Sequence, residues 1–197
     1  MEKSVQKYLL QLARNTIAKK LGVKGFGGSD DSGLSEISRP NDSEILSEKR
    51  GVFVTLEIEK KLRGCIGTII PVYTLEYAVK RNAINAAFED PRFWPLTSEE
   101  LDKVQIEISV LSVPEKLEYR DSADLLQKLR PMKDGVILKK GYYEATYLPQ
   151  VWEELKDKEQ FLGSLCMKAG MNSEEWRGGE HGEKVEVSTY QAEVFHE

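Results

Sequence analysis

From Gly51 to Ile69 the chain changes character every second residue, which constrains its fold more than any other feature. Val52, Val54, Leu56 and Ile58 share one face of an extended segment, and Phe53, Thr55 and Glu57 take the other. A period of two is met by a β-strand and not by a helix. Charged Glu59-Lys60-Lys61 reads as a hairpin turn, and Leu62 to Ile69 as the returning strand, ended by Pro71. Within that return, Gly64 and Gly67 stand three apart in Leu62-Arg63-Gly64-Cys65-Ile66-Gly67. Glycine weakens a strand, so each needs a reason: a bend, or another backbone or ligand approaching closely.

The remaining pattern predicts a mixed architecture. Val5, Tyr8, Leu9, Leu12, Ala13, Thr16, Ile17 and Leu21 fall at spacings of three and four, one apolar helical stripe with Gly22 as its stop. Residues 24–50 read as a long exposed connection, pinned at most by Leu34, Ile37, Ile45 and Leu46, because they carry little to bury. Thr74 caps a second helix rich in alanine, suited to close packing on a sheet, and Asp90-Pro91 stops it. Thr97-Ser98-Glu99-Glu100 is a capping box. Val104 to Val110 alternate as a third strand; a helix over Asp121 to Arg130, two short strands from Gly135 to Leu148, and a helix ending at Lys168-Ala169-Gly170 follow. A phase slip between Val187 and Tyr190 predicts one last strand with a bulge near Ser188-Thr189. Without a regular βαβ rhythm, the expected class is α+β, with a mostly antiparallel sheet flanked by helices.

Composition excludes several functions. With 28 basic against 33 acidic residues the net charge is −5, which disfavours nucleic acid and anionic membranes as partners. No apolar run approaches the ~18 residues of a membrane span, and the opening residues carry no secretory pattern. Two cysteines and two histidines make neither a disulfide framework nor a metal-ligand set, so no metal is expected and no cofactor is named. The expected setting is a reducing, cytoplasmic one.

The chemistry-bearing residues concentrate in few places. Regular alternation puts Arg63, Cys65 and Gly67 on one face, where a guanidinium lowers a thiol pKa and holds an anion. A small cysteine in a bulged strand is the competing explanation. In Asp90-Pro91-Arg92-Phe93, local pairing explains Asp90 and Arg92; a general base and an anion clamp are the functional alternatives. Glu107 lies opposite the apolar face of the third strand, an acid/base candidate if that face lines a cleft. Lys168 suits a helix C-terminus. A Cys65–His181 pair has no local support, Gly178 to Gly182 lacks the spacing of a phosphate loop, and Trp94, Trp152, Trp176, Tyr142, Tyr143 and Tyr147 are expected in cores or subdomain contacts.

Taken in order, Gly51-Val-Phe-Val-Thr-Leu, Leu62-Arg-Gly-Cys-Ile-Gly, Asp90-Pro-Arg-Phe, Glu107-Ile-Ser-Val-Leu, Leu148-Pro-Gln-Val and Lys168-Ala-Gly resemble the AMMECR domain family over about residues 51–176. The resemblance implies one α+β domain across 1–197, with two subdomains around a cleft, in a cytosolic protein. It also implies frequent association at the genomic level with a Memo-like protein and a radical-SAM protein, which are thereby its expected partners. It implies no settled activity. Its signature positions here are Arg63, Gly64, Cys65, Gly67, Asp90, Arg92, Glu107 and Lys168. Two functions follow as expectations. One is a small-ligand or enzymatic site with Cys65, Asp90 and Glu107 as catalytic groups and Arg63, Gly64, Gly67, Arg92 and Lys168 holding ligand. The other is a non-catalytic adaptor for those partner proteins.

Overall fold

The computed structural model describes residues 1–23, 39–40, 44–178 and 184–197. The expected contacts of Leu34 and Ile37, most of the 24–50 connection, and His181 lie outside them. The fold is α+β, with two compact units: Met1–Leu111 with Glu193–Glu197, and Ser112–Ala192. Each carries an antiparallel four-stranded sheet.

In the first unit, the sheet runs β2 (Lys61–Thr68), β1 (Val52–Ile58), β3 (Gln105–Leu111) and β8 (Ala192–His196) in spatial order. The register sets Val54 between Ile66 and Ile108, and Leu56 between Gly64 and Ile106. That face is covered by α1 (Lys3–Leu21) and α3 (Leu75–Phe88). The α1 stripe of Val5, Leu9, Leu12, Ala13 and Ile17 is buried to within 1% of completely. Each large aliphatic side chain so buried contributes ~1.5–3 kcal/mol before the cost of ordering it. The alanines of α3 let its backbone reach the sheet. A Cβ on Gly64 would stand 2.1 Å from the Ala86 carbonyl oxygen, so here glycine permits helix contact. At Gly67 the Phe53 ring fills the space, 2.3 Å from where a Cβ would be.

Regular alternation fails at one point that matters. Leu56 pairs with Gly64 but Glu57 pairs with Leu62, leaving Arg63 as the extra residue of a bulge. Of the described part of 24–50, α2 (Glu44–Ser47) buries Leu46 and Lys49 bridges to Thr74, so this end is tied to the body. The capping box at Thr97 opens the short α4 (Ser98–Leu101) as expected.

The second unit orders β4 (Glu115–Lys116), β7 (Glu186–Tyr190), β5 (Gly135–Lys140) and β6 (Tyr143–Tyr147), with α5 (Ser122–Lys128) and α6 (Lys158–Lys168). Its core centres on Trp152, stacked on Phe161 at 3.6 Å, with the indole N–H donating to the Asp134 carbonyl. Two expectations need correction. The phase slip is no bulge: β7 ends at Tyr190, and after Gln191 the chain enters β8, a strand of the other sheet. Val187 faces the core of the second unit, Tyr190 is buried on the opposite face of β7 over Gly135, and Phe195, rather than Val194, faces the core of the first unit. Nor do Trp94, Tyr142 and Tyr143 pack in a core, at 89%, 105% and 53% exposure. No described helix is long and apolar enough to cross a membrane.

Gly64→Ala is expected to destabilise the chain by about 1–3 kcal/mol, the usual cost of overpacking. Urea denaturation followed by circular dichroism measures it, and Gly141→Ala, where nothing stands within 4 Å, separates steric clash from backbone strain.

Candidate functional site

Strand β2 lies at an edge of its sheet, so the outward main-chain groups of Cys65 have no neighbouring strand. The turn after α3 supplies them. The Cys65 N–H donates to Asp90 Oδ2 at 2.9 Å, and Arg92 Nη2 donates to the Cys65 carbonyl at 3.2 Å. The two side chains are themselves locked, with Arg92 Nε on Oδ1 at 2.9 Å and Nη2 on Oδ2 at 2.7 Å. Asp90 also accepts the Arg92 amide at 3.1 Å. Aspartate and arginine thus imitate one residue of a missing strand and close the edge. Arg92 and the two amides hold the Asp90 carboxyl well below the usual carboxylate range, against the effect of its burial. A carboxylate so stabilised is a poor proton acceptor at neutral pH.

The bulge sends Arg63 away from the thiol. Its Nε and Nη2 grip both oxygens of Glu100 at 2.8 and 2.9 Å, and the same Glu100 accepts the Thr97 N–H of the capping box. Phe93 lies near both guanidiniums, 5.9 Å from Arg63 and 5.5 Å from Arg92. The expected partnership of Arg63 with Cys65 therefore does not form.

Cys65 is half-buried, with its sulfur accepting from the Thr55 hydroxyl at 3.3 Å. Desolvation raises its pKa; the Thr55 hydrogen bond and the charge of Arg92 oppose this, while Asp90 and Glu107 add to it. The thiol is thus held neutral, the opposite of an activated nucleophile. Across the sheet, Thr55 pairs with Cys65 on one side and Glu107 on the other, a polar row over three strands. Burial, then the nearby Glu57, raise the Glu107 pKa, with His196 opposing. Beyond Glu107 a hollow of about 410 Å³ is lined also by Glu57, Gln105 and His196. Its remaining carboxylate, Glu197, accepts from Arg14 and from the Ile106 amide. No described group of His, Cys, Asp and Glu could hold a metal ion.

Seven of the eight signature residues thus gather in the first unit. Lys168 belongs to the second, at the end of α6, where Nζ donates to the Thr146 carbonyl at 2.9 Å and lies 4.7 Å from the Tyr147 ring. Burial lowers its pKa. Thr146 lies on β6, an edge of the second sheet, so Lys168 also covers an edge group. Sequence reasoning missed Thr55 and Glu100 as participants. Thr55 is legible as an outward residue of β1, whereas Glu100 shows in the sequence only as the last residue of a capping box.

Comparison places these residues in a known group. The AMMECR1 family model matches residues 10–195, and the chain belongs to that family. Protein NEQ441 of Nanoarchaeum equitans is 39% identical over 183 residues, covering 92% of this chain and 97% of that one. Protein MJ0810 of Methanocaldococcus jannaschii is 40% identical over 157 residues, covering 78% and 76%. The crystal structure of an uncharacterised protein, PH0010 of Pyrococcus horikoshii, matches with a TM-score of 0.76 and 38% identity, covering 96% of this chain and 90% of that one.

Two measurements check this geometry. Asp90→Asn keeps the size of the side chain but loses the charge that grips Arg92, and should cost about 2–4 kcal/mol at pH 7. Because the folded pKa is depressed, the Asp90 contribution is complete above the unfolded value and is lost as pH falls below about 4. The stability gap between wild type and variant should therefore narrow in acid. Iodoacetamide labelling of Cys65 should reach half its maximal rate above the ordinary thiol value of about 8.5. Cys166, fully buried with its pKa pushed up to about 11, should stay unlabelled in the native state.

Proposed function

We propose that the chain is a small-ligand binding protein whose recognition surface is the outer face of the first sheet, without a nucleophilic thiol. The observation that carries this reading is the row Cys65–Thr55–Glu107, set in register across three strands and half-buried. In this reading the neutral thiol gives a soft contact and a weak donor. Thr55 fixes the orientation of the sulfur. Glu107, with its raised pKa, is the group that exchanges a proton with a bound polar ligand. Arg63, Asp90 and Arg92 act on the ligand only indirectly, by fixing the edge strand that presents Cys65. Gly64 and Gly67 set the shape of the same strand. Lys168 has the corresponding structural role in the second unit.

A thermal-shift screen of small polar metabolites tests this. A true ligand at a hundredfold excess over its Kd should raise Tm by roughly 5–10 °C. The shift should shrink in Glu107→Gln and in Cys65→Ser. A screen without any hit, or a hit whose shift both variants retain, ends this reading.

A second reading is an adaptor for Memo-like or radical-SAM proteins, the partners that the family resemblance brings. Trp94 favours it, at 89% exposure beside Phe93 on the loop held by the Asp90–Arg92 pair. A rigidly mounted, exposed tryptophan suits a binding hot spot. Trp94→Ala should abolish co-purification with such a partner and leave the thermal shifts untouched. Retained co-purification removes the adaptor reading.

A further inference from the structure

The whole chain carries a charge of −5, yet three cations collect around one cavity of the second unit. It measures about 270 Å³ and is lined by Tyr119, Arg120, Ser122, Trp176, Arg177 and Lys184. These cations are not equally engaged. Arg177 is bound to Glu159 and Glu174, each at 2.6 Å, and lies over the Trp176 ring at 4.2 Å, so it serves as wall. Lys184 donates to the Arg120 carbonyl and lies 5.8 Å from the Tyr119 ring; no described carboxylate pairs with it. Arg120 meets Asp124 only at 3.5 Å, through Nε, and its side chain is 83% exposed. Both terminal nitrogens of its guanidinium are thus uncommitted among the described residues. Asp121 also borders the cavity, but its carboxylate is committed to the Asp124 amide at 2.8 Å. The Tyr119 hydroxyl is likewise committed, to the Val185 carbonyl.

We infer that this cavity binds the phosphoryl group of a small anion, with Lys184, Arg120 and the Ser122 hydroxyl as donors. An ammonium, a guanidinium and a hydroxyl offered from two separate stretches of chain suit an anion with several oxygens in a tetrahedral arrangement. A planar carboxylate has only two oxygens to share among them. The volume lies below the ~300 Å³ at which drug-sized pockets begin, which limits the occupant to a phosphoryl group with little attached. The site is separate from the Cys65 row and does not depend on the function proposed for it.

Isothermal titration calorimetry on the full chain tests the inference, with inorganic phosphate and glycerol phosphate as probes at constant ionic strength. Saturable one-site binding is expected. Arg120→Gln alters a largely exposed side chain and should weaken binding about tenfold, the loss of roughly one charge-assisted hydrogen bond. Lys184→Gln should weaken it at least as much; should that variant fail to fold by circular dichroism, Arg120→Gln decides alone. Tighter binding of glycerol phosphate assigns the site to a phosphate ester, and equal binding to the free ion. The inference is overturned by absence of saturation, by affinity unchanged in the folded variants, or by acetate binding as tightly as phosphate.

Discussion

The first unit depends on how the edge of β2 is closed. An edge strand exposes main-chain donors and acceptors that invite another strand, and burying them without partners is costly. Here one aspartate and one arginine, two residues apart in a turn, satisfy the amide and carbonyl of Cys65 together. The turn can reach that far because Gly64 lets the end of α3 touch the strand at Ala86. The close approach, the bulge at Arg63 and the closure of the edge form one construction. Arg63 extends it by tying the same strand to Glu100 at the start of α4.

The second unit uses the same solution with one residue. Lys168 leaves the end of α6 and covers a carbonyl of the edge strand β6, its ammonium close to the Tyr147 ring. Charged residues that look like an anion-binding set in the sequence thus serve the main chain. This matters for chemistry, since a guanidinium whose Nε and one Nη are already held by a carboxylate keeps only its other Nη for a ligand. The groups that keep freedom are the neutral thiol of Cys65, the hydroxyl of Thr55 and the acid of Glu107. For Cys65 and Glu107 burial is the largest influence on the titrating group, with neighbouring charges secondary, and neither is held in an ion pair among the described residues.

Much of the architecture was legible. The alternation of Val52 to Ile58, the stripe from Val5 to Leu21, the alanine-rich helix ending before Asp90 and the capping box at Thr97 each took the form their periods predict. These signals are local, because a face repeats every two or every 3.6 residues whatever the rest of the chain does. The last strand misled for the same reason. Alternation reports which side of a strand is buried but not which sheet the strand joins, so a crossing at Gln191 looked like a bulge.

The candidate site divides along the same line. The glycine-framed strand around Cys65, and the identity of the residues worth attention, came from sequence alone, since residue type and spacing are written there. Which charges meet was decided by tertiary structure. A single extra residue at Arg63 broke the alternation and carried its guanidinium to Glu100, 37 positions away. Whether the thiol is activated also needed the fold, because a pKa follows from burial and neighbouring charge, and both are fixed only when distant segments pack together.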